Sequence, residues 1–255
     1  MGARFELRGT VGLLTLAEPE RRNALSTSLV EGALAALASP EARRARALVV
    51  AGEGRAFCAG ANIGDLLGAG WMTGAPTGPT PMDLFQAIDA DRRVTIAATH
   101  GLVLGGGCEL TLCCDLVVAA EDTSFALPEL GLGVMPNTGL ARLVQLVGRR
   151  RAMDVILTRR RVEAPEASTL GLVSRIVPVG EQVESAMALA RNVTDEVPPG
   201  ALAAVKAAAR RAAPLDWDFV RAILGDIPEA EWREGLGSFA ERRKPDFSRF
   251  WNADA

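Results

Sequence analysis

The sequence has few of the side chains on which nucleophilic and metal-dependent enzymes usually rely. Its 255 residues include one histidine, His100, and four cysteines, none of them spaced as C-x-x-C. A Cys/His zinc site is therefore disfavoured, and we predict no metal. A Cys-His or Ser-His-Asp nucleophile would depend on His100 alone, and no G-x-S-x-G elbow is present. We expect His100 and the cysteines to be structural, which leaves carboxylates as the candidate acid-base groups.

Neither an excess of one charge nor a long apolar run is present. Lysine and arginine total 28 against 31 aspartates and glutamates, so no strong field would gather nucleic acid. No apolar stretch approaches the roughly 18 residues that span a bilayer, and the N-terminus shows no secretory signal. We therefore expect a cytoplasmic protein with neither a nucleic-acid nor a membrane partner. The hydrophobic fraction of 49% allows one large core.

Short apolar runs in the first half of the chain predict strands that are buried on both faces of a sheet. These runs lie at 47–51, 96–99 and 116–120. Glycine turns and helical patterns between them are typical of right-handed βαβ crossovers, so we predict an α/β fold with a mostly parallel sheet. From Thr138 onward the pattern is mainly helical, with one more short strand predicted at Leu172–Val177.

Four further segments carry local signals. Residues 4–17 predict two short strands around a Gly-Thr turn, and Ser26 is a candidate N-cap of a helix that runs to Leu37. Residues 68–81 are rich in Gly, Pro and Thr, which predicts a mobile loop, either a surface insertion or a substrate lid. The Pro-Pro-Gly sequence at 198–200 is the best hinge candidate between two helices.

Two glycine-rich segments, 54–64 and 100–110, each follow a predicted strand. Small residues let the backbone approach a ligand closely, and free N–H groups near a helix start can donate to an anion. In the second segment, Gly105, Gly106 and Gly107 open an apolar helix that is predicted to run through Cys114. Two such donors in different loops suit one carbonyl oxygen that becomes negative during a reaction. Each oxyanion donor of this kind contributes about 3–4 kcal/mol.

Two carboxylates accompany these segments. Glu109 lies in the first turn after the glycines, where the helix dipole stabilises the ionised form, and by itself it could be a capping residue. Glu129 follows Pro128 among apolar residues, and by itself it could be a solvated loop carboxylate. A carboxyl in apolar surroundings has a raised pKa and can carry a proton at neutral pH. Together the pair suits proton exchange at carbons next to a carbonyl.

The chain resembles the crotonase (enoyl-CoA hydratase/isomerase) superfamily over almost its whole length. The stretches that carry the resemblance are RRNALS at 21–26, GRAFCAGANI at 54–63, LGGGCELTLCCD at 104–115, LPELGLG at 127–133, GLVSRIV at 171–177 and ERRKP at 241–245. It implies a crotonase-like spiral of ββα units at 1–197 and a C-terminal helical trimerisation region at 198–255. It also implies a homotrimer or homohexamer, an acyl-CoA thioester substrate, a place in fatty acid metabolism such as β-oxidation, and no cofactor apart from the coenzyme A of the substrate.

The resemblance also implies roles for individual residues. The backbone N–H groups of Ala61 and Gly106 would form the oxyanion hole, and Glu109 and Glu129 would be the catalytic pair. The residues expected to contact substrate or coenzyme A are Arg22, Ala24, Ala59, Asn62, Ile63, Gly64, Asn137 and Lys244, the last on a C-terminal helix that often comes from a neighbouring subunit.

The reaction that these positions imply is the syn addition of water to a trans-2-enoyl-CoA, giving a 3-hydroxyacyl-CoA. Glu109 would take a proton from the water that attacks C3, and Glu129 would deliver a proton to C2. An enoyl-CoA isomerase, which needs one base to move a proton between C2 and C4, is an alternative, as is another crotonase-type acyl-CoA reaction. A non-catalytic member that binds acyl-CoA or RNA is an alternative from a different class.

The chain departs from the superfamily pattern at three places. Asn62 stands where many hydratases have Asp, and Pro-Asn-Thr-Gly-Leu at 136–140 replaces Pro-Gly-Ala-Gly-Gly. The loop that usually reads Thr-Gly-Arg-Arg is Thr-Arg-Arg-Arg at 158–161. These changes fall on the acyl pocket and its rim more than on the carboxylate pair, so they leave the acyl chain open.

Overall fold

The computed structural model of the protein describes residues 2–251, so residues 252–255 of the predicted C-terminal region lie outside the described part. Its strands, in chain order, are β1 (Ala3–Arg8), β2 (Val11–Leu16), β3 (Ala47–Gly52), β4 (Ala56–Cys58), β5 (Val94–Thr99), β6 (Leu102–Leu104), β7 (Leu116–Ala120), β8 (Ser124–Ala126), β9 (Val162–Glu163) and β10 (Arg175–Val177).

The helices are longer and more frequent in the second half of the chain. They are α1 (Thr27–Ala38), α2 (Ile63–Gly68), α3 (Pro81–Ala90), α4 (Gly106–Leu112), α5 (Asn137–Val147), α6 (Arg149–Thr158), α7 (Ala164–Leu170), α8 (Gln182–Glu196), α9 (Pro199–Ala212), α10 (Trp217–Ala222) and α11 (Glu229–Ala240). Short 3-10 turns lie at Pro19–Arg21, Ala42–Arg44, Glu129–Leu132, Ile223–Asp226 and Ser248–Phe250.

The strands form two sheets. The larger has the order β1-β2-β3-β5-β7-β10, and only its β1–β2 pair is antiparallel. The smaller has the order β4-β6-β8-β9, with β9 antiparallel to β8. Successive ββα units place one strand in each sheet, as β3 and β4, β5 and β6, and β7 and β8 do. The predicted α/β class and mostly parallel sheet are confirmed.

The central strands of the larger sheet are apolar on both faces. In β3, Leu48 and Val50 face the main core between the sheets, where they pack with Phe57 and Phe85. The intervening Val49 faces a second core that α8 covers. Because successive side chains of a strand point to opposite faces, covering both faces explains the unbroken apolar run of this strand.

Most local predictions hold, with two corrections. The Ser26 hydroxyl accepts a hydrogen bond from the Leu29 N–H at 3.1 Å and caps α1 as predicted. The glycine helix begins at Gly106 but ends at Leu112, short of the predicted end at Cys114. The predicted strand at Leu172–Val177 starts only at Arg175, because the preceding residues close the end of α7 through a 2.8 Å bond from the Leu172 N–H to the Ala167 carbonyl.

The segment at 69–80 connects α2 to α3 and is not simply a solvated insertion. Trp71 and Met72 are each only 6% exposed. Met72 packs with Trp232 and Leu236 of α11, so the segment is fixed to the C-terminal region. A helix boundary lies at the Pro-Pro-Gly sequence as predicted, but only Pro198 precedes α9, and Pro199 and Gly200 are its first residues. Within residues 2–251, no helix combines the length and the apolar composition needed to cross a bilayer.

Candidate active site

The first glycine-rich segment presents a backbone N–H at Ala61. The Leu25 N–H donates to the Gly60 carbonyl at 2.7 Å, and the Asn62 N–H donates to the Leu25 carbonyl at 2.9 Å. Successive N–H groups of an extended segment point to opposite sides, so the Ala61 N–H faces away from Leu25. That side is occupied by the start of α4, where a Cβ added to Gly106 would lie 3.4 Å from the Ala61 nitrogen.

A buried asparagine holds this segment in place. The Asn23 amide nitrogen donates to the carbonyls of Glu53, Ala56 and Phe57 at 2.9, 2.9 and 3.1 Å. Its amide oxygen accepts from the Glu18 N–H at 2.9 Å. Asn23 also has a positive φ of 55°, a conformation that asparagine tolerates better than most residues. The sequence prediction gave this residue no role, although the matched stretch at 21–26 contains it.

In the second glycine-rich segment, the geometry of the backbone calls for glycine at Gly105 and Gly107. Gly105 has a φ of +51° and donates its N–H to the Ala126 carbonyl at 2.9 Å. Gly106 is the first residue of α4, so its N–H has no partner within the helix. A Cβ on Gly107 would lie 2.5 Å from the carbonyl oxygen of Cys58. The triplet therefore lets α4 start directly against β4.

Glu109 is buried and held by the start of another helix. Its side chain lies in the first turn of α4, and the residue is 9% exposed. One carboxyl oxygen, Oε1, accepts from the Gly139 N–H at 2.7 Å. Burial raises the pKa of this carboxyl to about 7, while the backbone N–H groups of Gly139 and Thr138 oppose the rise. Both protonation states are therefore accessible near neutral pH.

Glu129 lies on the 3-10 turn after β8, and its carboxyl reaches the same place. Its Oε2 is buried and has no hydrogen-bond partner among the described residues, so a solvated loop carboxylate is ruled out. A Cβ on Gly105 would lie 2.6 Å from its Oε1, which puts the carboxyl at the start of α4. Burial and the negative charge of Glu109 raise the pKa of Glu129 well above its usual value, which favours the protonated form.

Both carboxyls open onto one cavity of about 440 Å³. Of the residues predicted to form the site, those that line this cavity are Arg22, Ala59, Ala61, Ile63, Gly106, Glu109, Glu129 and Asn137. Apolar side chains, among them Trp71, Phe85 and Val134, form most of the remaining wall. Phe239 of α11 also lines the cavity, so the C-terminal region reaches the site of its own chain.

The other predicted contact residues lie outside the cavity wall. The Asn62 amide oxygen accepts from the Asp65 N–H at 3.2 Å and caps α2, and Gly64 is exposed in the first turn of that helix. Ala24 is half-buried in the turn before α1, and Lys244 is exposed beyond the end of α11.

The asparagine that departs from the superfamily pattern joins the cavity to α10. The Asn137 amide nitrogen donates to the Val220 carbonyl at 2.9 Å, which fixes the orientation of the amide because a carbonyl can only accept. Its amide oxygen and the Thr138 hydroxyl are buried without a partner among the described residues. A glycine at position 137 would make no such side-chain contact with α10.

The histidine and the cysteines are placed as structural groups. His100 Nε2 lies 2.8 Å from the Gly54 carbonyl, outside the cavity. Burial raises the pKa of the Cys58 thiol to about 12, and the thiols of Cys108 and Cys114 are shifted upward for the same reason. Among residues 2–251, no three His, Cys, Asp or Glu side chains cluster as metal ligands.

The chain is similar to known proteins over almost its whole length. A family model described as enoyl-CoA hydratase/isomerase matches residues 6–249. The chain is 37% identical to a probable enoyl-CoA hydratase of Rhizobium meliloti, with 95% of this chain and 96% of the relative covered. It is 35% identical to the 2,3-dehydroadipyl-CoA hydratase of Escherichia coli, with 92% and 94% covered.

Solved structures show the same fold. A carnitinyl-CoA hydratase from Mycobacterium avium superposes with a TM-score of 0.79 at 31% identity, covering 97% of this chain and 98% of that one. An enoyl-CoA hydratase from Bacillus anthracis gives a TM-score of 0.74 at 29% identity, covering 97% and 99%. The chain has the crotonase fold and belongs to the enoyl-CoA hydratase/isomerase family, as its sequence motifs predict.

Proposed function

We propose that the protein is an enoyl-CoA hydratase, a hydro-lyase that adds water to a trans-2-enoyl-CoA and forms a 3-hydroxyacyl-CoA. The observation that carries the proposal is that one apolar cavity holds two carboxyls with raised pKa values beside two backbone N–H groups. The names of the relatives, probable enoyl-CoA hydratase and 2,3-dehydroadipyl-CoA hydratase, support the same reaction class.

The backbone donors bind the thioester oxygen. The N–H groups of Ala61 and Gly106 converge where the first glycine-rich segment meets α4. As water adds at C3, negative charge moves onto this oxygen, and the two donors stabilise the resulting enolate. Backbone donors need no reorganisation during the reaction, and each contributes about 3–4 kcal/mol to stabilising the transition state.

Glu109 acts as the base. With a pKa of about 7, a large fraction of this carboxyl is ionised at neutral pH. The bond from the Gly139 N–H to Oε1 holds it in position. Glu109 removes one proton from a water molecule while the water oxygen bonds to C3.

Glu129 acts as the acid and donates its proton to C2, which collapses the enolate to the thioester. The proton held by Glu109 then passes to Glu129 by way of water, so the pair returns to its starting state. Because both carboxyls lie against the start of α4, we expect both new bonds to form on one face of the double bond, which is syn addition.

We assign the other predicted site residues to coenzyme A binding and the C-terminal helices to subunit assembly. We assign Arg22, Ala59 and Ile63, which line the cavity, to the coenzyme A moiety. Ala24, Asn62, Gly64 and Lys244 would contact coenzyme A at the rim. Coenzyme A enters as part of the substrate, and the reaction needs no further cofactor. We place the protein in the cytoplasm as a homotrimer or homohexamer that assembles through the C-terminal helices.

An assay of crotonyl-CoA hydration tests this proposal, with the loss of enone absorbance as the measure of turnover. Wild-type protein is expected to turn over, and Glu109→Gln and Glu129→Gln are each expected to lower kcat by a factor on the order of 10² to 10⁴. Glu121→Gln, at an exposed turn outside the cavity, is the matched control and should retain wild-type kcat. A lack of turnover by wild-type protein, or full activity in either active-site variant, would refute the proposal.

The presence of two carboxyls favours hydration over isomerisation, because moving a proton between C2 and C4 needs only one base. The same preparation should therefore hydrate crotonyl-CoA much faster than it converts a 3-enoyl-CoA to the 2-enoyl isomer. The reverse preference would identify an isomerase.

A further inference from the structure

Helix α11 contacts the turn that carries Glu129 through backbone atoms. A Cβ added to Gly235 would overlap the Leu132 carbonyl group and would lie 2.8 Å from the Gly133 nitrogen, too close for either atom. From the other side, a Cβ on Gly133 would lie 2.6 Å from the Glu231 carbonyl oxygen. Two glycines thus face each other, and the helix lies on the turn with no side chain between them.

The position of this turn determines where the Glu129 carboxyl lies. The turn is closed by the Val134 N–H, which donates to the Glu129 carbonyl at 3.1 Å. The Oε2 atom of Glu129 has no partner among the described residues, whereas Glu109 is held by the Gly139 N–H. The carboxyl moves with the turn that carries it, so the contact between the turn and α11 determines where its proton is delivered.

The same helix also contacts the segment that supplies the first backbone donor. Trp232 and Leu236 of α11 pack with Ile63 and Leu66 of α2, which begins two residues after Ala61. Phe239, four residues beyond Gly235 and so on the same face of the helix, lines the cavity.

A bidentate ion pair joins Glu234 of α11 to Arg243 in the segment that follows the helix. Both terminal nitrogens of Arg243 bind Glu234, at 2.5 and 3.0 Å. This pair lies beyond the cavity, so it can be removed without altering the cavity wall.

We propose that α11 is a positioning element for catalysis and that Gly235 is its positioning residue, because only glycine lets the helix hold the Glu129 turn in its catalytic position. This inference rests on the proposed function, since it assigns proton donation to Glu129. Alanine at position 235 separates helix from turn and moves the carboxyl away from C2.

The test compares Gly235→Ala with Gly237→Ala in crotonyl-CoA hydration. A Cβ on Gly237 would meet nothing within 4 Å, so the control makes the same change in the same helix in open space. We expect Gly235→Ala to lower kcat by about tenfold or more, because a displacement of a catalytic group by about 1 Å can lower the reaction rate by about 10²-fold. Gly237→Ala should retain wild-type kcat.

A double-mutant cycle separates positioning from general destabilisation. If α11 acts through Glu129, adding Gly235→Ala to Glu129→Gln lowers the residual rate by less than about twofold, because the positioned group is already gone. Two results would overturn the inference. In the first, the losses of kcat caused by Gly235→Ala and by Glu129→Gln multiply in the double variant; in the second, Gly235→Ala and Gly237→Ala are equally active. If wild-type protein fails to hydrate crotonyl-CoA, the proposed function itself fails.

Arg243→Gln provides a second variant in case Gly235→Ala does not fold. This substitution takes the guanidinium away from the buried Glu234 carboxylate, which lies next to Gly235 in α11. We expect the disturbed helix to lower kcat by roughly two- to fivefold in the wild-type background only. Unchanged kcat in Arg243→Gln, or an equal loss in the Glu129→Gln background, would contradict the positioning role.

Discussion

At the residue scale, the surroundings of two chemically identical side chains suit them to opposite tasks. Glu109 accepts backbone hydrogen bonds from the start of α5, which stabilise its charge and limit the rise of its pKa. Burial, with the negative charge of Glu109, raises the pKa of Glu129 well above its usual value, and its Oε2 has no partner among the described residues. Environments that separate the pKa values of a carboxyl pair assign one member as base and the other as acid.

The buried Glu109 carboxyl predicts a pH-dependent stability difference. A carboxyl whose pKa is higher in the folded state than its unfolded value of about 4.3 destabilises the fold as pH rises through that window. Glutamine imitates the protonated form and cannot ionise. We therefore expect the melting temperature of Glu109→Gln, relative to wild type, to rise between about pH 4.3 and pH 7 and to level off above.

Thermal unfolding of both proteins across pH 4.5 to 8 measures this difference, with Glu121→Gln, an exposed carboxylate, as the control that should show no trend. A melting-temperature difference that stays constant over the range would contradict the raised pKa.

At the element scale, the loop that carries Ala61 depends on one asparagine. Asn23 donates to three buried or partly buried carbonyls while holding a positive φ. Asn23→Ala removes these bonds and also puts in the left-handed conformation a residue that tolerates it less well than asparagine does. Asn23→Gly removes the same bonds without that backbone cost.

We expect Asn23→Ala to lower the free energy of unfolding by about 3 kcal/mol or more, because buried carbonyls lose their donors. Asn23→Gly should be more stable than Asn23→Ala by about 1 kcal/mol, the cost of the left-handed conformation. Urea unfolding of the three proteins measures both values. A glycine variant that is no more stable than the alanine variant would show that the positive φ is not strained.

These elements also show what could be predicted from sequence. The start of α4 could be predicted from the glycine triplet, because the signals for a helix start lie close together in the sequence. The predictions for the end of α4 and for the start of β10 were wrong. Hydrogen bonds at helix ends, rather than the apolar content of the sequence, determine both boundaries. The bonds of Asn23 and the contact of Gly235 with the Glu129 turn join residues far apart in the chain, so no local pattern predicts them.

At the scale of the whole molecule, the predicted core and the predicted C-terminal region build one cavity. The Val220 carbonyl of α10 fixes the Asn137 amide in the cavity wall, and Phe239 of α11 lines the cavity directly. The sequence patterns placed the carboxyls and glycines in the core but gave no sign that helices after residue 198 would hold them. The geometry of the candidate site therefore depends both on the core and on the helices after residue 198.

The most direct test of the account is the pH profile of kcat/KM for crotonyl-CoA, measured on the complete wild-type chain and on Glu109→Gln. A base that must be ionised and an acid that must be protonated give a bell-shaped profile. We predict that activity falls below about pH 7 as Glu109 takes up a proton, and falls again at higher pH as Glu129 ionises. Glu109→Gln should lose the acidic limb. An acidic limb that persists unchanged in Glu109→Gln would contradict the assignment of Glu109 as the base.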